Sequence, residues 1–158
     1  MKKILEYINK LNEFNTIVEE LDKIEQGNNK LIDKTKEYNL YAGKHVFDRL
    51  YRDVEQTYNI GDKISLKQVI DTVNKGFYHI LNCHSSNKLK VGDSTSAICI
   101  TNKKYNIYLN VVVYINKINI DGTFDLTILT VMKKNNFGTI LKRYINEDLF
   151  NNIIFINI

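Results

Sequence analysis

The stretch YNIYLNVVVYINKINIDGTFDLTILTVM, residues 105–132, decides the fold class. Apolar and polar side chains alternate with period two from Tyr105, which is the pattern of a strand with two different faces. Ile107, Leu109, Val111, Val113 and Ile115 share one face, and Tyr108, Asn110, Val112, Tyr114 and Asn116 share the other. Asp121-Gly122 is a hairpin signal, so Thr123 to Met132 returns as the paired strand. The hairpin predicts an antiparallel sheet with one apolar face and one mixed face. The mixed face would be open to a ligand, with tyrosines for stacking.

Working outward, Thr95 to Thr101 predicts a further strand, and Asn152 to Ile158 a last one. Residues 141–149 fit neither period. Before the polar loop from Asn82 to Asp93 the period is helical. Ser65-Leu66-Lys67-Gln68 is a capping box, and Val69, Ile70, Val73, Phe77 and Ile80 form the buried stripe. Gly76 reads as weakening that helix near its end. An earlier helix is expected over 44–58, with Phe47, Leu50, Tyr51, Val54 and Tyr58 on its apolar side. An amphipathic helix over 3–26, closed by Gly27-Asn28-Asn29, and a shorter helical stretch over 30–38 make an N-terminal arm, residues 1–38. The expected architecture is α+β: N-terminal helices, then a four-stranded (three to five) antiparallel sheet with helices packed on one face. Residues 39–158 form the single globular domain.

The formal charge is +4, and residues 1–38 hold seven basic and eight acidic side chains, so the positive excess sits in the globular part. That mildly favours a polyanionic partner. Proline and tryptophan are absent, while Asn, Ile, Lys and Tyr are abundant, which suggests an AT-rich genome. Asparagine-rich stretches accordingly receive no functional weight. The N-terminal stretch is interrupted by Glu6, Asn9, Lys10 and Asn12, unlike a signal peptide, and no run approaches a membrane span. With two cysteines and no disulfide framework, a cytoplasmic protein is expected.

Three constellations carry chemistry. His45, Arg49 and Arg52 stand at i, i+4 and i+7, within about 60° of one another on a continuous helix. An imidazole titrates near neutrality, and guanidiniums donate forked hydrogen bonds to phosphate. The plain alternative is a solvated helix face. At the end of the second hairpin strand, Thr130, Lys133 and Lys134 suit an anion, although regular alternation turns Thr130 to the apolar side unless a bulge intervenes. Lys44, Tyr108 and Tyr114 complete the expected nucleic-acid contacts. Finally, His79, Cys83, His84 and Cys99 are zinc-type ligands, but their spacing fits no common finger. His84 reads as solvated and Cys99 as a small core residue. No metal or cofactor is expected, as phosphate-cradling glycine loops and HExxH are absent.

Residues 44–132 resemble the barnase–EndoU–colicin–RelE-like nuclease superfamily, in particular its small phage-encoded branch. The resemblance rests on three segments. They are His45-Val-Phe-Asp-Arg49-Leu-Tyr-Arg52, the helix from Ile64-Ser65 through Val69 to Gly76, and Leu129-Thr130-Val131-Met132. It implies metal-independent RNA cleavage through a 2′,3′-cyclic phosphate, with His45 as acid and base, Arg49 and Arg52 as phosphate ligands and Thr130 as a substrate contact. A toxin or phage nuclease acting in a host cytoplasm follows from it. The alternative is a non-catalytic phage protein that binds a host factor or nucleic acid, with helix 3–26 holding a protein partner or a second copy. A structural virion or assembly protein is a third reading.

Overall fold

The computed structural model describes residues 29–50, 63–144 and 150–158, with the backbone alone at 143 and 144. The helix expected over 3–26, the end of the one over 44–58, Arg52 and residues 145–149 lie outside the described residues. Six strands, β1 (Lys30–Lys34), β2 (Tyr38–Ala42), β3 (Ser96–Asn102), β4 (Leu109–Ile118), β5 (Phe124–Lys133) and β6 (Asn152–Asn157), form one sheet. Among the described residues, three helices join them: α1 (Lys44–Arg49), α2 (Leu66–Ser85) and α3 (Phe137–Tyr144).

The sheet order is β1-β2-β5-β4-β3-β6. The β3-β4-β5 meander is antiparallel, as the alternation of 105–132 required, and Gly122 turns its second hairpin at φ 87°. The sheet as a whole is mixed, because β2 runs parallel to β5 and β6 parallel to β3. It therefore has six strands rather than four. The stretch 30–38, expected to be helical, instead supplies β1 and the start of β2. Tyr38, Leu40 and Ala42 alternate inward with period two, and Thr35 closes the tight turn between the strands by accepting the amides of Glu37 and Tyr38 through Oγ1.

Both faces of the sheet are covered, which corrects the one-sided arrangement. On one face, Leu109, Val111, Val113, Ile115, Leu126 and Ile128 pack against Val69, Val73, Phe77 and Ile80 of α2. On the other, Val112, Tyr114 and Leu129 pack against Phe137 and Leu141 of α3 and against Phe150. The face expected to be open is thus a second core: Val112 and Asn110 are almost without exposure and Tyr114 is 6 % exposed. A strand buried on both sides accounts for the continuous run Val111-Val-Val113.

Helix α2 begins as its capping box requires. Ser65 Oγ accepts the Gln68 amide and Gln68 Oε1 accepts the Ser65 amide, both at 3.1 Å. It extends to Ser85, five residues past Ile80, so Gly76 lies in its interior. There a Cβ would sit 2.6 Å from Ile100 Cδ1: the missing side chain lets helix and sheet touch. Helix α1 is shorter than expected. It stops at Arg49, and Leu50 is extended (φ −72°, ψ 135°), bridging to Ile64. Among the described residues, no helix is long and apolar enough to cross a membrane.

Candidate nucleic-acid interface

Past Ile128, β2 no longer flanks β5. Helix α1, which follows β2 directly, takes that place. Its Arg49 Nη1 donates to Val131 O at 3.4 Å and lies 3.5 Å from Met132 Sδ. Arg49 is 9 % exposed and Val46 beside it is buried, so Arg49 belongs to the interior of the α1–β5 junction rather than to a solvated stripe. His45 is half-buried and Lys44 is exposed at the helix start. The i, i+4 relation of His45 and Arg49 holds on α1, and Arg52 lies outside the described residues.

Thr130 is displaced by a bulge. Val112 pairs with Thr130 and Val113 with Ile128, leaving Leu129 as the extra residue. The bulge reverses the alternation, as presentation to a substrate would require, and turns Thr130 to the side of Val112 and Leu129. That side is the second core. Thr130 is wholly buried and its hydroxyl has no hydrogen-bond partner; the same is true of Thr127, opposite Tyr114. The structure therefore does not bring Thr130 to the surface with Lys133 and Lys134.

What the structure does gather is a lysine–tyrosine cluster at the end of the sheet where β4 begins and β5 finishes. Lys133 Nζ lies 4.9 Å from the centroid of the Tyr105 ring and donates to Lys63 O at 3.0 Å. Lys103 Nζ lies 5.6 Å from the centroid of Tyr108. The Lys134 amide donates to Tyr108 O at 2.9 Å, and Lys104 is exposed in the same loop. Each ammonium over a ring face is attracted by the ring quadrupole, which holds lysine and tyrosine as a unit. Burial, and then the charge of Asp71, raises the phenol of Tyr105 above its ordinary value, so it stays neutral at physiological pH. Tyr108, Lys133 and Lys134 are thus neighbours at this end of the sheet. Tyr114 is enclosed in the second core.

Three asparagines hold this end in place. Asn110 Nδ2 lies within hydrogen-bonding distance of the carbonyls of Tyr108 (3.1 Å), Met132 (3.0 Å) and Lys134 (2.8 Å), while its Oδ1 accepts from Thr101 Oγ1 at 2.8 Å. Asn135 Oδ1 accepts the Tyr108 amide at 2.9 Å. Asn102 Nδ2 donates to Thr72 Oγ1 at 3.0 Å and its Oδ1 accepts the Lys104 amide, also at 3.0 Å, tying the 103–108 loop to α2. Discounting asparagine as compositional bias concealed these residues. The available signal was Asn110 itself, an amide inside an otherwise apolar strand. A buried amide persists only where its hydrogen bonds are met.

Cys99 and His84 are packing residues. Burial pushes the Cys99 thiol up to about 12, which leaves it a protonated core residue. The His84 ring packs edge-on against Phe124, with centroids 5.4 Å apart, rather than standing in solvent. A polar cleft of about 680 Å³ lies at the opposite end of the sheet. Its Asp125 accepts from Asn39 Nδ2 (3.0 Å) and Asn119 Nδ2 (2.9 Å), so that carboxylate fastens β2 to the β4–β5 hairpin.

No family model matches the chain, and no curated protein or solved structure matches it either.

Proposed function

We propose that this chain binds single-stranded RNA through the lysine–tyrosine end of its sheet, without cleaving it. The observation that supports this reading is the pairing of Lys133 with Tyr105 and of Lys103 with Tyr108 on one loop-and-strand end. Lysines meet successive phosphates, and tyrosine faces accept unstacked bases of any sequence. The asparagine braces preorder the loop, so less entropy is lost when RNA binds.

Anisotropy titration of a fluorescent single-stranded RNA tests it. Lys103→Glu/Lys104→Glu is expected to weaken binding at least about tenfold and to lower the salt slope by about one to two. Tyr108→Ala is expected to weaken binding by about 1–3 kcal/mol per lost stack. Binding that ignores all three substitutions would exclude this surface.

The second reading is metal-independent RNA cleavage. It is favoured by the position of α1: Arg49 rests on Val131 and Met132, immediately before Lys133, so His45 lies on a helix that adjoins the same strand end. His45 would exchange the protons, and RNA held by the lysines would be the substrate. Incubation with RNA in EDTA decides between the two. Cleavage to a 2′,3′-cyclic phosphate, abolished by His45→Ala, establishes the second reading, and intact RNA under conditions of saturated binding establishes the first.

A further inference from the structure

The two outer strands of the sheet are built differently. β1 reads KLIDK, carries Lys30, Asp33 and Lys34, and is broken by a bulge between Leu31 and Asp33. Charges and bulges are what keep an edge from pairing with another chain. β6 reads NIIFIN, with no charge, no proline and no irregularity in its pairing with β3. Its apolar side chains Ile154, Phe155 and Ile156 are only half-buried. Ile154 and Ile156 extend the core under α2, and Phe155 extends the core under α3.

The hydrogen bonds to β3 fix which backbone groups of β6 point outward. Ile158 donates to Thr101 O at 2.9 Å and accepts from the Lys103 amide at 3.4 Å, and Asn152 donates to Thr95 O at 3.2 Å. Even-numbered residues therefore face β3. The N–H and C=O groups of Ile153, Phe155 and Asn157 point to the edge that no other described strand covers, because successive peptide groups of a strand alternate sides.

We infer that β6 pairs antiparallel with β6 of a second copy of this chain, joining two sheets into one across a two-fold axis. A two-fold axis normal to the sheet pairs odd residues with odd and keeps each face continuous. In the register centred on Phe155, the two phenylalanines meet on the α3 face and Ile154 meets Ile156 on the α2 face. The backbone groups of Phe155 bond those of its counterpart, and those of Ile153 bond those of Asn157. The strand is thus complementary to itself in hydrogen bonding and in apolar pattern, whereas the charged, bulged β1 is not. A contact of one strand pair is small, so the dimer dissociates at low concentration.

Residue-resolved amide exchange on the full chain, at about 10 µM and about 1 mM, reads this out together with sedimentation. The expected result is a doubling of mass with concentration, accompanied by slowed exchange at Ile153, Phe155 and Asn157. The β3-bonded amides of Ile154 and Ile156 should exchange slowly at both concentrations. Asn157→Pro removes an outward N–H without touching the β3 ladder, and Ile154→Lys places a charge on the edge. Each should shift dissociation upward at least about tenfold, while Leu31→Lys on β1 should leave it unchanged. A chain that remains monomeric at 1 mM overturns the inference. So does a dimer in which the three outward amides gain no protection, a result that needs no variant to fold.

Discussion

Thr130 holds a hydroxyl at a position without exposure and without a hydrogen-bond partner. A buried hydroxyl that forms no bond has given up its water without replacement, at a cost of about 1–3 kcal/mol. Thr130→Val keeps the shape and removes that cost, so stability should rise by about 1 kcal/mol, read as a higher urea midpoint at unchanged m-value. The proposed RNA binding should be unaffected, because the side chain lies in the second core and not beside Lys133. A lower midpoint would show that the hydroxyl is satisfied after all. Tyr38 offers a pH test. Burial first, and then the charges of Asp33 and Glu37, push its phenol up to about 12. The folded state thus binds this proton more tightly than the unfolded chain, whose tyrosine titrates near 10. Its contribution is complete below pH ~10 and is lost as pH rises toward the folded value. Tyr38→Phe should therefore flatten the alkaline loss of stability over that window. At neutral pH it should cost at most about 1 kcal/mol, since the bond to Asn74 Oδ1 is long at 3.3 Å.

At the scale of elements, Gly76 sets how closely α2 approaches β3. Alanine there gains about 1 kcal/mol of helix propensity but drives its methyl into Ile100, where overpacking costs about 1–3 kcal/mol. The expected net effect of Gly76→Ala is destabilisation of about 1–2 kcal/mol, measured by chemical denaturation, and Gly76→Ala/Ile100→Val should recover part of it. Helix α2 was legible in the sequence because its cap and its stripe are both local. The meander β3-β4-β5 was legible for the same reason. β2 was not: Tyr38, Leu40 and Ala42 do alternate, but a five-residue strand beside charged β1 gives a weak period. Its partner β5 also lies far away in sequence, with Asn39 bonded to Asp125 86 residues on. The second core was concealed by the same limit. Alternation places Tyr114 and Asn110 opposite the apolar side of β4, and among the described residues α3 and Phe150, from the far end of the chain, turn that side into an interior. In the lysine–tyrosine cluster, Lys133, Lys134 and Tyr108 were legible as charge and aromatic content at a strand end. Arg49 was misplaced because a helix drawn to residue 58 turned it to solvent, whereas a six-residue helix docked along β5 encloses it.

The whole molecule is nested. The antiparallel meander lies inside, and strands from the two ends of the described chain are added in parallel outside it, β2 on β5 and β6 on β3. This order predicts a gradient of local stability. In β4, Leu109 to Ile115 are buried without a break, and Leu109 to Val113 are paired with β3 on one side and β5 on the other, so the amides of that stretch exchange only when the whole sheet opens. β1 has one neighbour, a bulge and mostly exposed or half-exposed side chains, so it opens while the rest stays folded. Native-state hydrogen exchange in low denaturant should place the β4 and β5 amides at the global unfolding free energy and those of β1 several kcal/mol below it. The lysine–tyrosine end is fastened to the stable layer by Asn110 of β4 and to α2 by Asn102. Asn110→Ala should therefore speed exchange in the 103–108 loop and weaken the proposed RNA binding, although Asn110 itself is buried. A loop whose exchange does not respond to Asn110→Ala would mean that Asn102 and Asn135 hold it alone.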